Sequence, residues 1–113
     1  MTEEVIIAGA YRTAIGRLSG TLAGMSGVDM GSALIRQSLA RLDLAPDAVD
    51  SVILGQVLTA GAGQNPARQS TIRAGLAQSV PAVTVNQVCG SGLAAIMMAA
   101  REVALGESRL VIA

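Results

Sequence analysis

Between Leu93 and Leu105 the chain reads Leu-Ala-Ala-Ile-Met-Met-Ala-Ala-Arg-Glu-Val-Ala-Leu. This is a helical run whose first two turns carry no charge on any side. A helix that is apolar all round is buried all round. One sheet can cover only one side, so a second layer is expected on the other. Ile96, Met97 and Met98 are consecutive and about 100° apart, so at least one of them must point away from the sheet. The alternative is an alanine-rich helix with a wet outer side, which is tolerable because alanine buries little area.

The composition fits that demand. A chain of 113 residues is long enough for one small domain, yet 51% of it is hydrophobic and 14% charged. A domain this small has much surface for its volume and should be more polar. Either something covers part of its apolar surface or the chain is part of a larger body. Eight arginines balance eight acids, with no lysine, and Tyr11 is the only aromatic residue. That excludes both a basic nucleic-acid face and an aromatic stacking platform.

Upstream of the apolar helix, short β-branched runs alternate with helical segments. Val5-Ile6-Ile7-Ala8 reads as a buried strand of a parallel sheet covered on both faces. A glycine-rich loop from Gly16 to Gly27 follows. Its spacing matches neither a Walker A loop nor a dinucleotide fingerprint, so an ordinary surface connection is expected. Ser26, three residues before Asp29, forms a capping-box pattern. The helix it opens runs to about Leu42, with Gly31, Leu34, Ile35, Leu39 and Leu42 on one side and Asp29, Arg36, Gln37 and Arg41 on the other. Asp43 to Asp50, with Pro46 inside, is a turn region. Ser51 to Val57 reads as a strand, and Asn65-Pro66 as an N-cap and first residue of a helix stopping near Gly75. A strand ending at Asn86, the apolar helix with Gly106 as its stop, and a last strand, Leu110 to Ala113, complete the chain. The expected order is β-α-β-α-β-α-β, an α/β fold with a mainly parallel sheet and helices on both faces.

The single cysteine, Cys89, falls where the third strand turns into the apolar helix, in Val85-Asn86-Gln87-Val88-Cys89-Gly90-Ser91-Gly92. A lone cysteine is usually a small buried hydrophobe. This setting is also a good place for a nucleophile, because free N–H groups and partial positive charge at a helix start stabilise a thiolate. Gly90 and Gly92 leave room for a substrate carbonyl to approach. One cysteine makes no internal disulfide, so a reducing, cytoplasmic compartment is expected. Met1-Thr2-Glu3-Glu4 is acidic where a signal peptide is positive, and no apolar run reaches bilayer-spanning length. No membrane association is expected.

These eight residues resemble the nucleophile segment of the thiolases, the family of acetyl-CoA acetyltransferases and 3-ketoacyl-CoA thiolases. Gly55-Gln56-Val57 with Gly63-Gln64-Asn65-Pro66-Ala67-Arg68-Gln69 resembles the same family closely, and Arg12-Thr13-Ala14-Ile15-Gly16 resembles its Arg-Thr-x-x-Gly segment, where Arg12 is read as structural. The resemblance covers essentially the whole chain. It implies that residues 1–113 form an incomplete thiolase amino-terminal domain, one half of a five-layer αβαβα body, with the apolar helix in the central layer. It implies that Cys89 carries the acyl group in Claisen condensation or thiolytic cleavage of acetyl-CoA or another acyl-CoA, with coenzyme A thioesters as substrates and neither a permanently bound cofactor nor a metal. The family's histidine, second cysteine and coenzyme A-holding loop domain are not found in these residues. The family also implies a homo-oligomer, a dimer or tetramer. Ketosynthase-related condensing enzymes are the second choice within the enzymes. A truncated, inactive chain acting only in assembly is the alternative outside them.

Overall fold

The computed structural model describes residues 2–113. Helix α1, Gly27–Arg41, begins at Ser26 with the expected capping box: the Ser26 hydroxyl accepts the Asp29 N–H while the Asp29 carboxylate accepts the Ser26 N–H. A single 3-10 turn at Pro46–Ala48 leads into strand β1, Ser51–Gly55. Helix α2 is Pro66–Arg73, strand β2 Ala82–Val85, helix α3 Ser91–Ala104 and strand β3 Val111–Ile112.

The three strands form one parallel sheet in the order β2-β1-β3, with Val52 opposite Ala82 and Ser51 opposite Val111. Alternation along the central strand divides the interior in two. Val52 faces one cluster with Ile35, Leu39, Ala74, Leu76 and Val80, beneath α1 and α2. Its neighbour Ile53 faces the other, with Ala95 and Ala99 of α3. The layers are therefore α-β-α, and the reason is handedness. The connection from β1 to β2 runs outward to one edge, and the connection from β2 to β3 runs back past β1 to the other. Both can be right-handed only if α2 and α3 lie on opposite faces.

The α/β class and the parallel sheet agree with the sequence, and the first expected strand does not. Residues 5–8 are in no strand, and Ile6 and Ile7 are each 77% exposed. A strand exists only by pairing, and residues 5–8 pair with none of the three strands, although β2 and β3 each keep an outer edge. The amino-terminal run is tied instead to the end of α3, where the Glu3 N–H donates to the Ala104 carbonyl at 2.8 Å. The observed order is thus α-β-α-β-α-β among the described residues.

The apolar helix is covered on one side only, as expected of a chain with too few strands to build a second layer. Ala95 and Ala99 are inside, while Leu93, Ile96 and Met97 are 64%, 44% and 48% exposed. Among the described residues α3 packs on the three strands, and its opposite side is open. Among the described residues no helix is long and apolar enough to cross a membrane.

Candidate functional site

Because all three strands are parallel, their carboxyl ends lie at one end of the sheet, the usual address of ligand sites in open α/β folds. The loops after β1 and β2 meet there. The Gln56 N–H donates to the Val85 carbonyl at 3.0 Å, and the Asn86 side-chain amide to the Val57 carbonyl at 3.2 Å.

The residues that fix β2 come from the segment around α2. Asn65 caps α2 by accepting the Arg68 N–H, accepts the Thr84 hydroxyl at 2.6 Å and donates to the Ala82 carbonyl at 3.0 Å. The Ala67 N–H donates to the Thr84 hydroxyl, and Arg68 donates to the Val80 and Gln78 carbonyls at 2.7 and 2.8 Å. Gln69 donates to the Ala62 and Gln64 carbonyls and so closes the loop before α2. These side chains are engaged in aligning α2, its loop and β2 with one another.

Between β2 and α3 lies a tight turn. The Gly90 N–H donates to the Gln87 carbonyl at 3.0 Å and the Ser91 N–H to the Val88 carbonyl at 3.1 Å, and neither bond uses the Cys89 N–H. Cys89 is a free, exposed thiol on this turn, beyond the carboxyl end of β2 and just outside the first turn of α3. Val88, its predecessor, has φ +51°. A β-branched side chain in the left-handed region is strained by about 1–3 kcal/mol and persists only where neighbours hold it.

Gly55, at the end of β1, sets how close α3 can come. A Cβ there would lie 2.5 Å from the Ser91 carbonyl carbon and 2.6 Å from its oxygen. Only glycine lets the start of α3 sit against β1. Gly92, by contrast, faces open space, so its lack of a side chain relieves no internal contact.

The Arg12 guanidinium donates to the neighbouring Thr13 carbonyl at 3.0 Å. The sequence identified Cys89 and Asn65. It gave no signal for the conformation of Val88, Ser91 stood only as a residue of the cysteine segment, and Gly55 only as a residue of the Ser51–Val57 strand and of the segment after it. Among the described residues no cluster of His, Cys, Asp and Glu could hold a metal ion.

Comparison with known proteins gives a consistent picture. A family profile described as "Thiolase, N-terminal domain" matches residues 5–113. An acetyl-CoA acetyltransferase of Allochromatium vinosum is 54% identical over 113 residues, covering 100% of this chain and 29% of the relative. A probable acetyl-CoA acetyltransferase of Escherichia coli is 54% identical over 98% of this chain and 28% of its own length. The cytosolic acetyl-CoA acetyltransferase of Mus musculus is 46% identical over 99% of this chain and 28% of its own length. A thiolase from Ascaris suum, solved in complex with coenzyme A, superposes with a TM-score of 0.87 at 38% identity, covering 89% of this chain and 26% of that one. The chain thus spans between a quarter and a third of the length of each of these four relatives.

Proposed function

The chain belongs to the thiolase family, and on that basis we propose that it is the nucleophile-bearing part of an acyl-CoA C-acyltransferase, with Cys89 as the acyl carrier. The observation that carries this reading is the free, exposed Cys89 thiol on the turn after β2, inside the stretch matched by the family profile. In the proposed step the Cys89 sulfur attacks the carbonyl carbon of an acyl-CoA thioester. The bond from that carbon to the coenzyme A sulfur breaks, the acyl group stays on Cys89 as a new thioester, and coenzyme A leaves with the proton that the thiol gave up. The Cys89 N–H, not used by the turn, is the chain's candidate donor to the oxygen on which negative charge develops.

These 113 residues contain no histidine and no second cysteine. The groups that take up the thiol proton and activate the second acyl-CoA are therefore assigned to residues beyond them, as is the surface that holds most of coenzyme A. On this reading residues 1–113 are an incomplete amino-terminal domain, acetyl-CoA or another acyl-CoA is the substrate, no cofactor is permanently bound, and the working protein is a cytoplasmic homo-oligomer. The names of the acetyl-CoA acetyltransferase relatives support acetyl-CoA as the first substrate to try.

The test is the intact mass of the full-length protein before and after acetyl-CoA. One added acetyl group in the wild type and none in Cys89→Ser is the expected result. Acetylation that survives the substitution would overturn the assignment.

A further inference from the structure

The geometry points to Ser91 as a positioning residue whose hydroxyl aims the backbone of Cys89; this rests on the reading of Cys89 as the acyl carrier. Ser91 is the first residue of α3 and is only 4% exposed. A serine that serves a helix start normally accepts an N–H from the helix itself. The hydroxyl of Ser91 turns the other way. It accepts the Gln87 N–H at 2.8 Å and donates to the Val88 carbonyl at 2.6 Å, gripping the two residues that lead into the cysteine. Gly90, at the N-cap position, offers no side chain to do this, and Asn86 adds a third hold by accepting the Val88 N–H at 2.9 Å.

The consequence follows from the rigidity of one peptide bond. The Val88 carbonyl and the Cys89 N–H belong to the same planar trans unit, so they point in opposite directions. The carbonyl is held toward α3 by both the hydroxyl and the N–H of Ser91. The Cys89 N–H must therefore point away from α3, out of the turn. The strain at Val88 shows why a hold is needed. With φ at +51° and a β-branched side chain, the Val88–Cys89 plane would rotate toward an unstrained conformation if released. Ser91 thus fixes the direction of the one donor attached to the nucleophile's own backbone, a role separate from merely closing the turn.

Two reactions at the same sulfur separate positioning from structure. Alkylation by iodoacetamide needs the thiolate alone. Transfer from acetyl-CoA also needs a donor to the carbonyl oxygen. In the full-length protein, Ser91→Ala is expected to slow acetyl loading about tenfold or more and to change iodoacetamide alkylation of Cys89 less than about threefold. Ser91→Thr, which keeps the hydroxyl, should recover most of the loading rate. If Ser91→Ala fails to fold, Val88→Gly combined with Ser91→Ala removes the strain without restoring the aim and should still load slowly. Loading at the wild-type rate in either background overturns the inference, as does a parallel fall in both reactions. A wild-type protein that takes no acetyl group overturns the acyl-carrier reading itself, and that arm is read independently of the variants.

Discussion

At the residue scale, the turn that presents Cys89 depends on contacts made by amino acids with little or no chemistry of their own. Gly55 is the clearest, since any side chain there meets the backbone of Ser91 rather than a flexible group. Gly55→Ala is expected to cost about 1–3 kcal/mol by overpacking, read as a lower denaturant midpoint with an unchanged slope. Asn65 combines a helix cap with two bonds to β2. Asn65→Ala should therefore exceed the typical single cap loss, reaching about 2 kcal/mol, measured in the same way. Asn65 was legible because N-capping is a local rule with a sequence signature. Gly55 and Ser91 were not, because their roles depend on a close approach between β1 and α3 and on the left-handed turn at Val88, neither of which leaves a local pattern.

At the scale of elements, the helices were readable from their caps and stops, and the three strands from their β-branched runs. The amino-terminal run was misjudged because a strand is defined by its neighbour. Val5-Ile6-Ile7-Ala8 has the right residues, yet it pairs with none of the three strands. β3, only two residues long, is steadied by an acid. Asp50, just before β1, accepts the Arg109 and Leu110 N–H groups at 2.7 and 3.0 Å and so ties the start of β3 to the start of β1. Those two N–H groups hold its carboxyl below the ordinary value of 3.8. A lowered folded value stabilises the fold fully above the unfolded pKa and loses that contribution as the pH falls through the folded one. Asp50→Ala should therefore be less stable than the wild type at neutral pH. The gap should narrow below about pH 4, which urea melts at neutral and acidic pH would show. The Asp29 carboxyl is lowered as well, first by the Ser26 N–H and hydroxyl, and pairs with Arg73 across α1 and α2. Its removal should follow the same pattern.

At the scale of the whole molecule, the apolar side of α3 is a surface for which this chain supplies no cover. The sequence called for cover on every side, and the structure leaves Leu93, Ile96 and Met97 open within this chain. The same physics lies behind both: the helix asks for a partner layer, and the sheet supplies one side of it. The 113 residues produced alone are expected to self-associate through this face. Sedimentation should show species larger than a monomer, and Ile96→Glu with Met97→Glu should shift them toward monomer. A wild-type chain that sediments as a monomer would refute this.

An exposed sulfur on a strained turn is open to chemistry besides the proposed acyl transfer. Cys89 is the chain's only cysteine, so a sulfenic acid formed there by peroxide has no second thiol in these residues to close upon. Its routes are capture by a thiol outside these residues, closure on a backbone nitrogen, or further and irreversible oxidation. An acyl group resting on Cys89 would block all of them, so the loaded protein should outlast the unloaded one in an oxidising medium.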